Sequence, residues 1–303
     1  MNKYGKVVRD IRISKGISQK KLYEGIISKS YAIEFEKGAH EISLNLFEKI
    51  LTRINMNMDE FFFILRGFSL NDDDDFWYTH EQKGTAYDIN SLYDLYEELS
   101  QNEGEIAEVR KALVHSRMEL LENLLKNQEF NVAVISEQDI ETIQNYLFSI
   151  QSWTLEEIKI FANSIYYFDE EIQSQFLQQV LKSVDTYKNY DRGRRLLCAL
   201  LINTIEVFIQ QNKLSQAKKL LTDLENLSIF YEGAFYRILS TFLLGLINMK
   251  SKLVELGYYQ AQKSIRILKE LNYDDIALLY DILLTQFLEE ENLTEHPVLK
   301  TDL

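Results

Sequence analysis

Proline occurs once in 303 residues, at Pro297, and glycine only 11 times, so the chain has little of the material from which hairpin turns and sheet edges are made. Long stretches rich in Leu, Ile, Glu, Lys and Gln fill the space between the few breaks, and these are good helix formers. The chain is therefore expected to be all-α, and its length suits a small domain followed by a large one. The one cysteine, Cys198, lies in an apolar run, which excludes an internal disulfide and predicts a buried thiol. No apolar stretch approaches the roughly 18 to 20 residues needed to span a bilayer, and Arg9, Arg12 and Lys15 interrupt the N-terminal apolar residues, unlike a secretory signal. A cytoplasmic location is expected.

A net charge of −14 argues against a nucleic-acid partner only until it is divided along the chain. Residues 1–66 carry 12 basic and 8 acidic side chains, a net of +4, whereas the rest carry 21 and 39, a net of −18. A small basic head on a large acidic body can meet phosphate with the head alone.

The head divides into five short helical patterns. Tyr4, Val7, Val8 and Ile11 form the first, stopped at Lys15-Gly16. Ser18 caps a second with Leu22 and Ile26, Ser28 opens a third with Ala32 and Phe35, Ser43 caps a fourth with Phe47, Ile50, Leu51 and Ile54, and Met58 to Leu65 make the fifth. The second and third have helix-turn-helix spacing, which aims the start of the third at a major groove. Gln19 is expected to bond a phosphate, Arg12, Lys15 and Lys29 to neutralise phosphates, and Ser28, Ser30 and Tyr31 to reach base edges. Glu36 is expected to pair with Arg9 or Arg12, and Glu34 faces phosphate awkwardly.

Residues 67–75 are expected to form a linker ending in the acidic start of a helix, residues 76–295 a helical body, and 296–303 a tail. The segment from Leu214 aligns with that from Tyr258 at an offset of 44 residues, with Ala217 matching Ala261. Such spacing predicts stacked helical hairpins, longer than the usual tetratricopeptide unit, forming a superhelix with a concave face. Asn163, Asn203 and Asn248 recur 40 and 45 residues apart on the first helices of these hairpins. They either hold a peptide backbone or tie neighbouring helices, and the sequence leaves both open. Arg192, Arg194 and Arg195 crowd a helix start, and they and Arg237 are candidates for pairing with an anion or a carboxylate. His40, His80, His115 and His296 show no metal-ligand or triad spacing, and no phosphate-binding loop or nucleophile elbow occurs. No catalysis, metal or cofactor is expected.

These residues resemble the Rgg/GadR/MutR family of transcription regulators. The resemblance rests on Gly5-Lys6 through Arg12, Ser28-Lys29-Ser30, Phe35-Glu36-Lys37-Gly38, Glu41-Ile42-Ser43 and Asp59-Glu60-Phe61, and in the body on Tyr146 to Ser149, Trp153, Asn163 and Leu201-Ile202-Asn203. It implies a homodimer on a promoter inverted repeat and a helical-repeat domain that binds a short hydrophobic signalling peptide in quorum sensing. Leu44 stands where some members carry a dimer-bridging cysteine, and Tyr166 where some carry a peptide-binding arginine. A rival expectation is a protein-interaction scaffold with no peptide ligand, its head serving as a dimer module.

Overall fold

The structure, a computed structural model, describes residues 3–294 and 296. All regular secondary structure among them is helical. The chain divides into two compact units, Met1–Tyr78 and Thr79–Leu303. Apart from His296, the expected tail lies outside the described residues.

The first unit holds α1 (Lys3–Ser14), α2 (Gln19–Tyr23), α3 (Lys29–Glu36), α4 (Leu44–Arg53) and α5 (Met58–Leu65). Local chemistry sets the starts. The side chain of Ser18 accepts from the Lys21 N–H, that of Ser28 from Tyr31 and that of Asn57 from Glu60, each satisfying a donor the helix leaves open. The second helix is shorter than its apolar spacing implies. It stops at Tyr23 because Glu24 leaves the helical region and Gly25 turns at a φ of +76°, so Ile26 packs from the turn. Apolar stripes from all five helices close one core around Val8, Leu22, Phe35, Ile50 and Phe61. Burying a side chain of this size contributes roughly 1.5–3 kcal/mol.

Next in the chain is α6 (Asp72–Thr85), which contains the boundary at Tyr78 and whose first turn consists of Asp72 to Asp75, with Asn71 Oδ1 accepting from the Asp74 N–H at 2.7 Å. Acidic residues there complement the helix dipole, and the helix thus begins inside the stretch expected as linker. The second unit continues with α7 (Ile89–Leu99), α8 (Glu105–Asn127), α9 (Glu137–Ser149), α10 (Leu155–Ser164) and α11 (Glu170–Tyr187). It ends with α12 (Asp191–Gln210), α13 (Leu214–Leu227), α14 (Ala234–Lys250), α15 (Val254–Glu270) and α16 (Asp274–Glu290). No helix among the described residues is long and apolar enough to cross a membrane.

The repeat is present as α12–α13 and α14–α15, packed hairpin against hairpin, with Ala217 and Ala261 both fully buried. The second hairpin crosses most closely. A Cβ on Gly245 would lie 2.5 Å from the Gly257 carbonyl oxygen, so only glycine fits at that contact. Helices α12, α14, α15 and α16 end alike, with Asn212, Lys252, Asn272 and Asn292 left-handed at φ 58, 68, 59 and 56°. In each turn the next N–H reaches back five residues, as from Lys213 to the Phe208 carbonyl, which is the Schellman pattern built without glycine. Cys198 is fully buried in this core, and burial pushes its thiol up to about 11.

Candidate nucleic-acid interface and ligand groove

In the head, a carboxylate organises the helix-turn-helix. Arg12 of α1 donates from Nε to Glu36 Oε1 at 2.7 Å and from Nη2 to Oε2 at 2.9 Å, while Nη1 donates to the Ile17 carbonyl at 2.8 Å. Gln19 donates to the same carboxylate at 2.7 Å, and the Tyr23 hydroxyl donates to it at 2.9 Å. Burial pushes Glu36 up, but these bonds and the guanidinium charge outweigh it and hold the group below the usual carboxylate range. Arg12, expected to neutralise a phosphate, is instead buried with its donors committed inside the head. Gln19 is likewise engaged internally, and Lys15 donates to the Ile54 carbonyl, closing the end of α4. Arg53 closes the end of α2 by donating to the carbonyls of Leu22 and Glu24, a role with no sequence signal.

What remains outward is the leading turn of α3. Ser28, Lys29 and Ser30 are exposed. Ser28 caps the helix and shares a 3.2 Å hydrogen bond with Ser30. Lys29 makes no hydrogen bond or ion pair among the described residues. Tyr31 is held by its ring stacking on His40, centroids 5.0 Å apart, and by its hydroxyl donating to the Glu41 carbonyl. Glu34 is neutralised by Lys37 at 2.8 Å, which removes much of the repulsion a carboxylate on this helix would offer phosphate.

In the body, faces of α12, α14 and α16 line two neighbouring cavities, the first of which is also walled by α8. The first, ≈ 230 Å³, is walled by Asn203, Leu239 and Tyr280, with Leu120 and Leu124 across from them and Arg117 beside them. The second, ≈ 70 Å³, continues along the same faces with Glu206, Phe242, Gln286 and Glu290. Phe130 lines both. Its N–H donates to Gln286 Oε1 at 3.0 Å and its carbonyl accepts from Gln286 Nε2 at 3.4 Å, so one carboxamide grips both backbone groups of one residue. The Phe130 ring meets Tyr166 edge-on at 5.7 Å, and the Tyr166 hydroxyl donates to Glu206. Burial pushes the Glu206 carboxyl up to about 7, against the lowering effect of Tyr166 and Tyr280. Glu206 Oε1 has no hydrogen-bond partner.

The three asparagines do lie on α10, α12 and α14, but only Asn203 lines either of these cavities. Asn163 bonds the Lys159 carbonyl of its own helix, Asn203 the Ala162 carbonyl of α10, and Asn248 the Gln260 side chain of α15. Asn203 and Asn248 thus each tie two helices, while Asn163 bonds back within its own. Arg237 is exposed and lines neither cavity. Arg194 and Arg195 pair with Asp191 one turn away. A further cavity of ≈ 560 Å³ between α11, α12 and α13 contains none of the residues expected to meet a peptide. His115 lies with Nδ1 2.5 Å from Asp139 and 3.9 Å from Glu119, a bridge between α8 and α9 that histidine spacing did not reveal.

A helix-turn-helix head joined to stacked helical hairpins defines the chain as a transcription regulator of the helix-turn-helix class. Residues 8–61 match the helix-turn-helix family, and residues 93–282 match the family described as HTH-type transcriptional regulator Rgg, C-terminal domain. The chain belongs to the Rgg family. It is 45% identical to a Listeria monocytogenes EGD-e protein described as a transcriptional regulator, over 96% of this chain and 99% of that one, with a TM-score of 0.81. The same fold occurs, at 19% identity, in the SHP pheromone receptor Rgg2 of Streptococcus dysgalactiae, over 93% and 99% of the two chains with a TM-score of 0.71. It occurs again at 18% identity in PrgX in its complex with cCF10, over 95% and 92%, with a TM-score of 0.66.

Proposed function

We propose that this protein is a cytoplasmic transcription regulator that binds promoter DNA through the leading turn of α3 and senses a short hydrophobic peptide in the groove between α8, α12, α14 and α16. The observation that carries the reading is the unengaged Lys29, beside Ser28 and Ser30, projecting from a head whose other candidate contacts are bonded internally. In this arrangement Lys29 neutralises phosphate and Ser30 reaches a base edge. Ser28 fixes the helix start, and Lys15, Gln19 and Tyr31 contribute what their bonds leave over.

Support for the peptide comes from the groove walls, apolar except for a few polar groups, and from the two distant relatives, one a pheromone receptor and the other solved in complex with cCF10. Asn203 lines this groove and Tyr166 stands behind it, touching the lining residues Phe130 and Glu206, whereas Asn163, Asn248 and Arg237 do not line it. A homodimer on an inverted repeat fits the paired half-sites that helix-turn-helix heads read. Peptide occupancy then shifts the equilibrium between packing states of the body and with it operator affinity. No catalytic role is part of this reading.

Fluorescence anisotropy of the purified chain on DNA from its own upstream region tests it. Binding is expected to fall linearly with salt on a log–log plot and to change when peptide is added. Binding that ignores salt, or no binding with or without peptide, sinks it.

A further inference from the structure

The groove is charged differently at its two ends. In the ≈ 230 Å³ cavity, the half-buried Arg117 makes no hydrogen bond or ion pair among the described residues, and its Nε is sealed from solvent without a partner. Asp275 is the carboxylate of that cavity and is exposed at its rim. In the ≈ 70 Å³ cavity the signs reverse. Glu206 and Glu290 line it with two carboxamides and aromatic and aliphatic side chains, and no lysine, arginine or histidine does. Lys250, whose Nζ lies 5.8 Å from the centroid of the Phe287 ring, is already paired with Glu291. Tyr166 donates to one oxygen of Glu206 while the other is sealed without a hydrogen-bond partner, so burial disfavours the ionised carboxylate and a cation reaching that oxygen would stabilise it.

Between the ends, Gln286 holds the backbone of Phe130 at two points, which is how a carboxamide holds an extended peptide. The chain's own segment thus occupies the position a ligand backbone would take over, and it has to yield for a peptide to run the length of the groove.

Resting on the peptide reading above, we propose that the groove recognises a peptide by its two free termini, the amino-terminal ammonium entering the cavity of Glu206 and Glu290 and the carboxylate end lying toward Arg117. Recognition by termini fixes the direction of the peptide and leaves the apolar walls to choose its side chains. It also excludes peptides blocked at the amino end.

Affinity selection tests this with the full chain. Synthetic libraries of short apolar peptides, otherwise identical, are offered with free termini, with an acetylated amino end, or with an amidated carboxyl end, and retained peptides are counted by mass spectrometry. Each block is expected to cut retention by roughly tenfold or more. Glu206→Gln is expected to abolish discrimination against acetylation only, and Arg117→Gln discrimination against amidation only, in variants whose helicity and unfolding midpoint match the parent. Equal retention of blocked and free libraries by the parent chain overturns the proposal, as does retention that follows internal lysines or a swap of effects between the two variants. Retention of no library at all defeats the peptide reading itself, an outcome distinct from peptides retained without regard to their ends.

Discussion

Arg12 and Glu36, 24 residues apart, meet through two hydrogen bonds of 2.7 and 2.9 Å inside the head. Their pair locks α1 to the end of α3, so the residue most like a phosphate contact in sequence is the strut that sets the recognition helix. Removing one partner leaves an uncompensated buried charge, at a cost of about 3–5 kcal/mol. Arg12→Ala and Glu36→Gln are therefore expected to unfold the head at lower denaturant concentration, measured by circular dichroism, and to lose DNA binding in proportion to the unfolded fraction. Because the Glu36 pKa is lowered in the fold, this stabilisation is complete above the ordinary carboxylate value of 4.5 and is lost as pH falls through the lower folded value.

Lys29→Ala should behave in the opposite way. The side chain is exposed and unbonded in the head, so the unfolding midpoint is expected to stay within about 0.5 kcal/mol of the parent. Operator affinity should nevertheless fall by a similar factor on every sequence, and the slope of log affinity against log salt should shrink by about one. Anisotropy titrations at several salt concentrations measure both. An unchanged slope would remove Lys29 from the phosphate contacts.

Much of the architecture was legible because it is written in periodicity and caps. Ser18, Ser28 and Ser43 each mark a helix start found in the structure, and the offset from Ala217 to Ala261 marks two real hairpins. Helix ends were less legible, because Asn212, Asn272 and Lys252 do the work usually signalled by glycine. The sites were harder still. Glu36 was legible as a partner for Arg9 or Arg12, but only the fold shows that it takes Arg12 and Gln19 together, leaving neither to reach for phosphate. Gln286 is one polar residue on an apolar helix, and its grip on Phe130 spans 156 positions, a distance at which sequence patterns say nothing. The amides at 163, 203 and 248 recur with the hairpins, but their bonds differ, to the same helix, to α10 and to α15, and a spacing of 40 to 45 residues carries no sign of that difference.

The crossing of α14 and α15 makes a prediction whose sign separates two effects. Alanine is favoured over glycine within a helix by about 1 kcal/mol. At Gly245, however, the added carbon would lie 2.5 Å from the Gly257 oxygen, and at Gly257 it would lie 2.4 Å from the Gly245 oxygen. Forcing the helices apart typically costs about 1–3 kcal/mol, so each single Ala variant is expected to lower the thermal midpoint. The double variant should fall short of the sum, since one displacement relieves both contacts. A raised midpoint would mean that the helices do not cross there.

Glu206 sets a pH dependence of the body. Its carboxyl titrates at about 7 in the fold, chiefly because burial disfavours the charge, against 4.5 for an ordinary glutamate. A raised carboxylate pKa means that the unfolded chain releases the proton first. The stability attached to this group is therefore complete below the unfolded value and is lost as pH rises through the folded one. Glutamine keeps an oxygen to accept from Tyr166 but has nothing to ionise. Measured against Glu206→Gln, which cancels the titration of every other group, the parent chain is expected to lose about 2 kcal/mol of unfolding free energy between pH 5 and pH 8. Urea unfolding of both proteins at the two pH values decides it. Parallel pH profiles would mean that the carboxylate is solvated, and the cavity beneath Phe130 would then have no demand for a cation.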